Sequence, residues 1–284
     1  MKRDKNVGQA FTRRDLIAAA LVLGAARTAH GWEALLPVAR LDHVNIRVQD
    51  VRRAAEFYVK LFGAEVSRAP AAGANPGSKP SELWFVRLGQ SFLAISPASP
   101  QDRPGIDHFC FAIEGFNGEA MKSKVNGLNQ PWPEAPPTNL WIKDPAGYLI
   151  QMSARSNPSR VPGAGVGAVL IEAPSGAKRE PAFQATRITQ LVLAVSKLEP
   201  SASYYRKLLG EEADKPRKGR FRVGPSELVL GSVSGGESFR VGVAGFDPSA
   251  AARTLKNLGV AADVARDKTI SFHDLDGIKV QIGG

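Results

Sequence analysis

The 284-residue chain holds four histidines and a single cysteine, and these few side chains bound the chemistry open to it. Cys110 alone excludes an internal disulfide and any zinc site built on two or more thiolates. A metal would therefore rest on His, Gln, Asp or Glu, and beyond residue 31 the imidazoles are His43, His108 and His273. Alternation along extended segments puts His43 on one face with Asn45 and Arg47, His108 with Cys110, and Gln151 with Leu149 and Ser153. Cys110 needs no catalytic role as a small apolar side chain, and His273 reads as a surface turn residue. Trp84, Phe92, Phe109 and Trp141 could wall an apolar cavity, and at least two of them are expected in the core instead.

The elements that must position these groups repeat along the chain. Leu41 to Val66 aligns without gaps on Ile188 to Ala213, with seven of 26 positions identical, among them Tyr58 with Tyr205, Leu61 with Leu208 and Gly63 with Gly210. That set forms the apolar face and terminal glycine of a helix. A second pairing sets Asp144-Pro145-Ala146-Gly147 through Gln151 against Asp274-Leu275-Asp276-Gly277 through Gln281. Inside the first copy the pattern predicts a strand over 41–48, a helix over 51–62 and strands over 64–68, 82–88 and 91–96. It then restarts with a strand over 106–113, a helix over 118–125 and strands over 139–143 and 148–153 joined by the Asp-Pro-Ala-Gly turn.

Through Asp42-His43-Val44-Asn45 and the residues to Asp50, Ile106-Asp107-His108-Phe109, and Asp144 through Gln151, the chain resembles the vicinal oxygen chelate superfamily of glyoxalase I, fosfomycin- and bleomycin-resistance proteins and extradiol dioxygenases. The resemblance implies an α+β chain of two tandem domains, residues 41–155 and 187–284, joined by a linker over 156–186. Each domain would be a pair of βαβββ units curled into an eight-stranded cup. It also implies metal ligands on the first strand of each unit and the last strand of the domain, which fall here on His43, His108 and Gln151. The ion would be divalent Fe, Mn, Zn or Ni. Gln151 replaces the carboxylate usual at that position, so the ion would keep its double charge and be held less tightly. The matching positions of the second copy, Gln190, Ser238 and Gln281, describe a degenerate site. Tyr148 is a candidate acid or base, and Arg47 and Lys143 are candidate anchors for an anionic substrate. Two readings stay open: a metalloenzyme of ring-cleaving or lyase type, and a metal-free protein that binds a small molecule in the cup or between the domains.

The N-terminus carries a different kind of signal. Thr12-Arg13-Arg14-Asp15-Leu16-Ile17, an apolar run to Ala26 and Ala29-His30-Gly31 resemble a bacterial twin-arginine export signal over residues 1–31. This implies the twin-arginine machinery as a partner and a periplasmic or otherwise exported location. That segment holds a net +4 of the formal +10, and the remaining +6 lacks the aromatic interleaving of a nucleic-acid groove. The expected partner is a small molecule, and the internal duplication favours a monomer over a homodimer.

Overall fold

Apolar residues at every second position build strands here, and the computed structural model describes them within residues 33–63, 65–69, 82–131, 140–154, 160–172, 180–213 and 218–284. The proposed export signal lies outside the described residues. The first half contains β1 (Val38–Val48), α1 (Val51–Phe62), β2 (Val66–Arg68), β3 (Trp84–Leu88), β4 (Ser91–Pro97), β5 (Gly105–Ile113), α2 (Gly118–Lys124), β6 (Leu140–Lys143) and β7 (Leu149–Ala154). After a single turn of 3-10 helix comes β8 (Val169–Ile171). The second half contains β9 (Ala185–Val195), α3 (Leu198–Leu209), β10 (Arg220–Val223), β11 (Ser226–Ser232), β12 (Ser238–Val243), α4 (Pro248–Asn257), β13 (Ala262–Val264), β14 (Ile270–His273) and β15 (Lys279–Gly283).

Each half is one sheet, ordered β6-β7-β5-β1-β4-β3-β2-β8 in the first and β10-β11-β9-β12-β15-β14-β13 in the second. In both, the first strands of the two units run antiparallel (β1 with β5, β9 with β12), and each pairs in parallel with the last strand of its own unit. This is the α+β architecture of two tandem, doubled units. Among the described residues the strand inventory is less regular than one pair of βαβββ units per half. The first sheet reaches eight only because β8, from within the 156–186 stretch, pairs with β2, and the second has seven among the described residues.

Helices α1 and α3 show why the repeat survives in sequence. Asp50 caps α1 by accepting from Arg53 N at 2.9 Å, and Gly63 (φ +73°) ends it. The buried faces carry Ala55, Tyr58 and Leu61 in α1, and Ala202, Tyr205 and Leu208 in α3. Both helices press on one core that runs through the two halves.

The two halves clasp each other reciprocally. The Tyr58 hydroxyl donates to Asp274 Oδ2 at 2.7 Å, and the Tyr205 hydroxyl donates to Asp144 Oδ2 at 2.8 Å. The other oxygen of each aspartate holds its own turn: Asp144 Oδ1 accepts from Ala146 N and Tyr148 N, and Asp274 Oδ1 from Asp276 N and Ile278 N. Burial raises both carboxyls above their ordinary value, against the pull of these hydrogen bonds.

The hairpin glycines repeat the symmetry. A Cβ on Gly89 (φ +62°) would stand 2.0 Å from Thr186 O, and one on Gly224 (φ +57°) 1.9 Å from Ala39 O. In each half the β-hairpin thus abuts the first strand of the other half through bare backbone. Gly89→Ala is expected to cost at least about 2 kcal/mol, because a positive φ and a backbone collision add. Urea unfolding measures it, and a midpoint equal to wild type would refute the close approach.

Candidate metal centre

Strand register decides which side chains meet in the first cup. His43 on β1 lies opposite Cys110 on β5, which lies opposite Gln151 on β7. His108, two residues before Cys110, lies opposite Asn45 on one side and Leu149 on the other. The three residues proposed as ligands therefore share one face of three adjacent strands. The rings of His43 and His108 meet edge to face, with centroids 5.6 Å apart.

Two irregularities in the β1–β5 ladder complete the arrangement. The register shifts between Leu41 and His43, and again where His108 and Ile106 face Asn45 and Ile46. The extra residues are Asp42 and Asp107, and a bulge lets a residue join its neighbour instead of pointing to the opposite face. Asp42 Oδ2 lies 3.4 Å from His43 Nδ1, and Asp107 Oδ2 lies 2.6 Å from His108 Nδ1. A carboxylate at Nδ1 places the ring proton there and leaves the lone pair on Nε2, the tautomer a metal ligand requires. Burial lowers the His108 pKa against the opposing pull of Asp107, so the ring is neutral at pH 7. Burial raises Asp107, but its bonds to His108 and Arg47 outweigh this and hold it below its ordinary value.

Asp42 is itself 2% exposed and pairs with Arg40 at 3.2 Å. Donor atoms of Asp42, His43 and Cys110 lie within 4.8 Å of one another, all buried. Burial, and after it the charge of Asp42, pushes the Cys110 thiol well above its ordinary value, and Sγ sits 3.3 Å from Ser153 Oγ. Cys110 is thus a protonated, sheltered thiol. Its alkylation by iodoacetamide at pH 8 is expected to be at least about 100-fold slower in the folded protein than in urea, since the thiolate is the nucleophile. A thiol-labelling time course checks this, and equal rates would contradict it.

The aromatic residues divide between cup and core. Phe92 stacks on His43 at 4.5 Å, and Trp141 meets His108 edge-on at 4.8 Å. Phe109 and Trp84 are buried in the core. Asn45 Oδ1 accepts from Ser96 Oγ at 2.9 Å.

The candidate catalytic residues do not gather here. Tyr148 lies at the seam, where its hydroxyl donates to Glu237 Oε2 at 3.0 Å and accepts from Ala194 N at 3.1 Å, and burial followed by the Glu237 charge raises its pKa far above the ordinary phenol value. Arg47 is engaged with Asp102 and Asp107, and Lys143 ends β6 in an exposed position. Asp42 and Asp107 are the residues beside the candidate ligands that pattern reasoning left without a role. Their signal was the same Asp-His dipeptide at the head of both units. In the second cup the corresponding positions hold Gln190, Ser238 and Gln281, without imidazole or carboxylate.

Residues 40–152 match the model of the Glyoxalase/Bleomycin resistance protein/Dioxygenase superfamily. Mitochondrial methylmalonyl-CoA epimerase of Homo sapiens is 30% identical over 108 residues, covering 32% of this chain and 57% of that protein. The chain thus matches little more than half the length of this curated relative. Among solved structures, the 2,3-dioxygenase LapB from Pseudomonas sp. KL28 aligns with TM-score 0.58 and 16% identity over 88% of this chain and 94% of that chain. A variant of 4-hydroxymandelate synthase from Streptomyces coelicolor aligns with TM-score 0.59 and 13% identity over 87% and 92%. Both likenesses extend over the two halves and concern the fold.

Proposed function

We propose that the protein is an exported divalent-metal enzyme whose first cup holds an ion through His43, His108 and Gln151 and presents it to two neighbouring oxygens of a small substrate. The observation that carries this reading is the pair of Asp-His contacts, which set both imidazoles in the ligand tautomer on adjacent strands. Two imidazoles and an amide oxygen suit a borderline divalent ion such as Fe, Mn, Zn or Ni. When bound, such an ion supplies Lewis-acid polarisation of the substrate oxygens, which serves a ring-cleaving or a lyase-type step. Phe92 and Trp141 pack against the two imidazoles, and Asp107 with Arg47 fixes the orientation of His108. Export by the twin-arginine route is part of the proposal and rests on Arg13-Arg14 and the apolar run after them. The reciprocal seam, which closes the contact between like halves inside one chain, supports a monomer.

Elemental analysis of protein purified without chelator tests the proposal. About one equivalent of metal per chain is expected. Iron or manganese would direct assays to catechol cleavage, and zinc or nickel to lyase chemistry and methylmalonyl-CoA epimerisation. Absence of metal, even after incubation with each ion, overturns the proposal. It would leave a second reading, a metal-free small-molecule binder, which the ring stacking of Phe92 on His43 and the glutamine at the last-strand position of both halves favour. A crevice of ≈ 320 Å³ at the seam, bordered by Gly105, Glu237, His273 and Lys279, is a further place for such a ligand.

A further inference from the structure

Internal duplication allows the second cup to be read against the first, position by position. The row His43–Cys110–Gln151 of the first cup becomes Gln190–Arg240–Gln281 in the second, in the same pairing across β9, β12 and β15. Arg40, which lies across from Ala112, becomes Arg187, which lies across from Gly242. Asp42, the acid that pairs with Arg40, becomes Thr189 at the matching register shift. The second acid of the first cup, Asp107, corresponds to Glu237, whose oxygens turn to the seam and accept from Ile106 N at 2.6 Å and Tyr148 OH at 3.0 Å. The carboxylate of Asp42 has no counterpart, that of Asp107 has turned away, Glu227 stands where the first cup has Phe92, and a new guanidinium stands where it has a thiol.

The result is a cup with more positive charge than its own side chains neutralise. Arg187 makes no side-chain hydrogen bond or ion pair among the described residues, and its Nε is shut from solvent. Arg240 Nε is likewise buried without a partner, while Nη2 reaches Gln281 Oε1 only at 3.5 Å and Asp267, an exposed carboxylate, at 3.8 Å. Glu227 is occupied by Gln190 at 3.1 Å and Arg220 at 2.7 Å. Arg187 and Arg240 are diagonal neighbours on adjacent strands, on the face opposite the buried Ile188, Leu191 and Phe239. Burial depresses the Arg240 pKa, the mark of a charge that its surroundings leave undercompensated.

We infer that the second cup is a binding site for a small oxyanion, a carboxylate or a phosphate group, gripped by Arg187 and Arg240 with the amides of Gln190 and Gln281 beside them. A planar guanidinium with unused N–H groups meets two oxygens of such a ligand at once, which amide or water partners do not match. The inference is independent of metal in the first cup and gives the cup whose matching positions lack imidazoles a function of its own.

Thermal unfolding of the full chain with acetate, oxalate or inorganic phosphate, against sodium chloride at equal ionic strength, tests it. The His43→Ala/His108→Ala background is used throughout, so that an oxyanion cannot act through a metal in the first cup. At least one of these anions is expected to raise the melting temperature beyond chloride, and its identity tells carboxylate from phosphate. Arg240→Gln and Arg187→Gln are each expected to weaken binding at least about tenfold, the loss of one hydrogen-bonded charge, and to abolish the shift. Each variant is first shown to melt cooperatively in chloride. No shift beyond chloride in the parent, or a shift that survives in either arginine variant, overturns the inference.

Discussion

The His43→Ala/His108→Ala variant is expected to lose its metal completely, falling from about one equivalent per chain to background, because two of three donors go and an amide oxygen alone does not hold a divalent ion. The finer expectation concerns Asp107→Asn. Its carboxylate lies 2.6 Å from His108 Nδ1 and also pairs with Arg47, so the substitution removes the charge that fixes the ring tautomer while leaving every ligand in place. Loss of such an outer partner weakens metal affinity by about 10–100-fold. Asp42→Asn should act less strongly, since its oxygen is 3.4 Å from His43 Nδ1 and is shared with Arg40. Competition with a chromophoric chelator measures both. If Asp107→Asn binds as tightly as wild type, the Asp-His contact is structural and the metal assignment loses its main support.

The largest effect on stability is expected at the seam. Asp144→Ala removes the acceptor of Ala146 N and Tyr148 N within the turn and of the Tyr205 hydroxyl across it, and the phenol is wholly buried. Three hydrogen bonds to a charged group are lost and a buried hydroxyl is orphaned, for a cost of about 3–5 kcal/mol against a total stability of about 10 kcal/mol. Tyr205→Phe takes only the cross-half bond, about 1–3 kcal/mol. Its pH dependence has a definite sign. Burial already raises the Asp144 carboxyl, and the Tyr205 hydroxyl opposes this by favouring the ionised form, so Tyr205→Phe raises it further. A raised folded-state value means stability is lost as pH rises through it, so the variant's deficit is full at pH 7 and narrows towards pH 4. Urea midpoints at the two pH values test this, and a deficit that widens on acidification would refute it. The same experiment on Tyr58→Phe and Asp274 probes the symmetric contact.

Much of this was legible in the residues. The duplication was visible because Tyr58 and Tyr205 share one offset with Gly63 and Gly210, and the turn residues Asp144 and Asp274 recur at a second, shorter one. Two-residue and helical periodicities placed β1, α1, β4 and β5 within a few residues of their ends, since these elements bury one face and are patterned for it. Alternation along each strand put His43, His108 and Gln151 on cup-facing positions without knowledge of which strands pair. Local pattern also supplied the order of strands and helices, the scarcity of ligands and the poverty of the second cup in imidazoles, while the α+β class came with the family resemblance.

Tertiary structure decided the rest, and the reason is the same in each case: the partners are far apart in sequence or depend on pairing register. Periodicity assigns Asp42 and Asp107 to the wrong face, because a bulge is a mismatch between two strands that the alternation of neither one records. Tyr148 is a candidate acid or base by sequence, but its hydroxyl is held by Glu237, 89 residues away. The repeat identified Tyr58 and Asp274 as recurring residues, while only packing showed that each half lends its tyrosine to the other's turn. Arg187 and Arg240 were two basic residues among many, and became a candidate anion site once the sheet set them on one face without their acids.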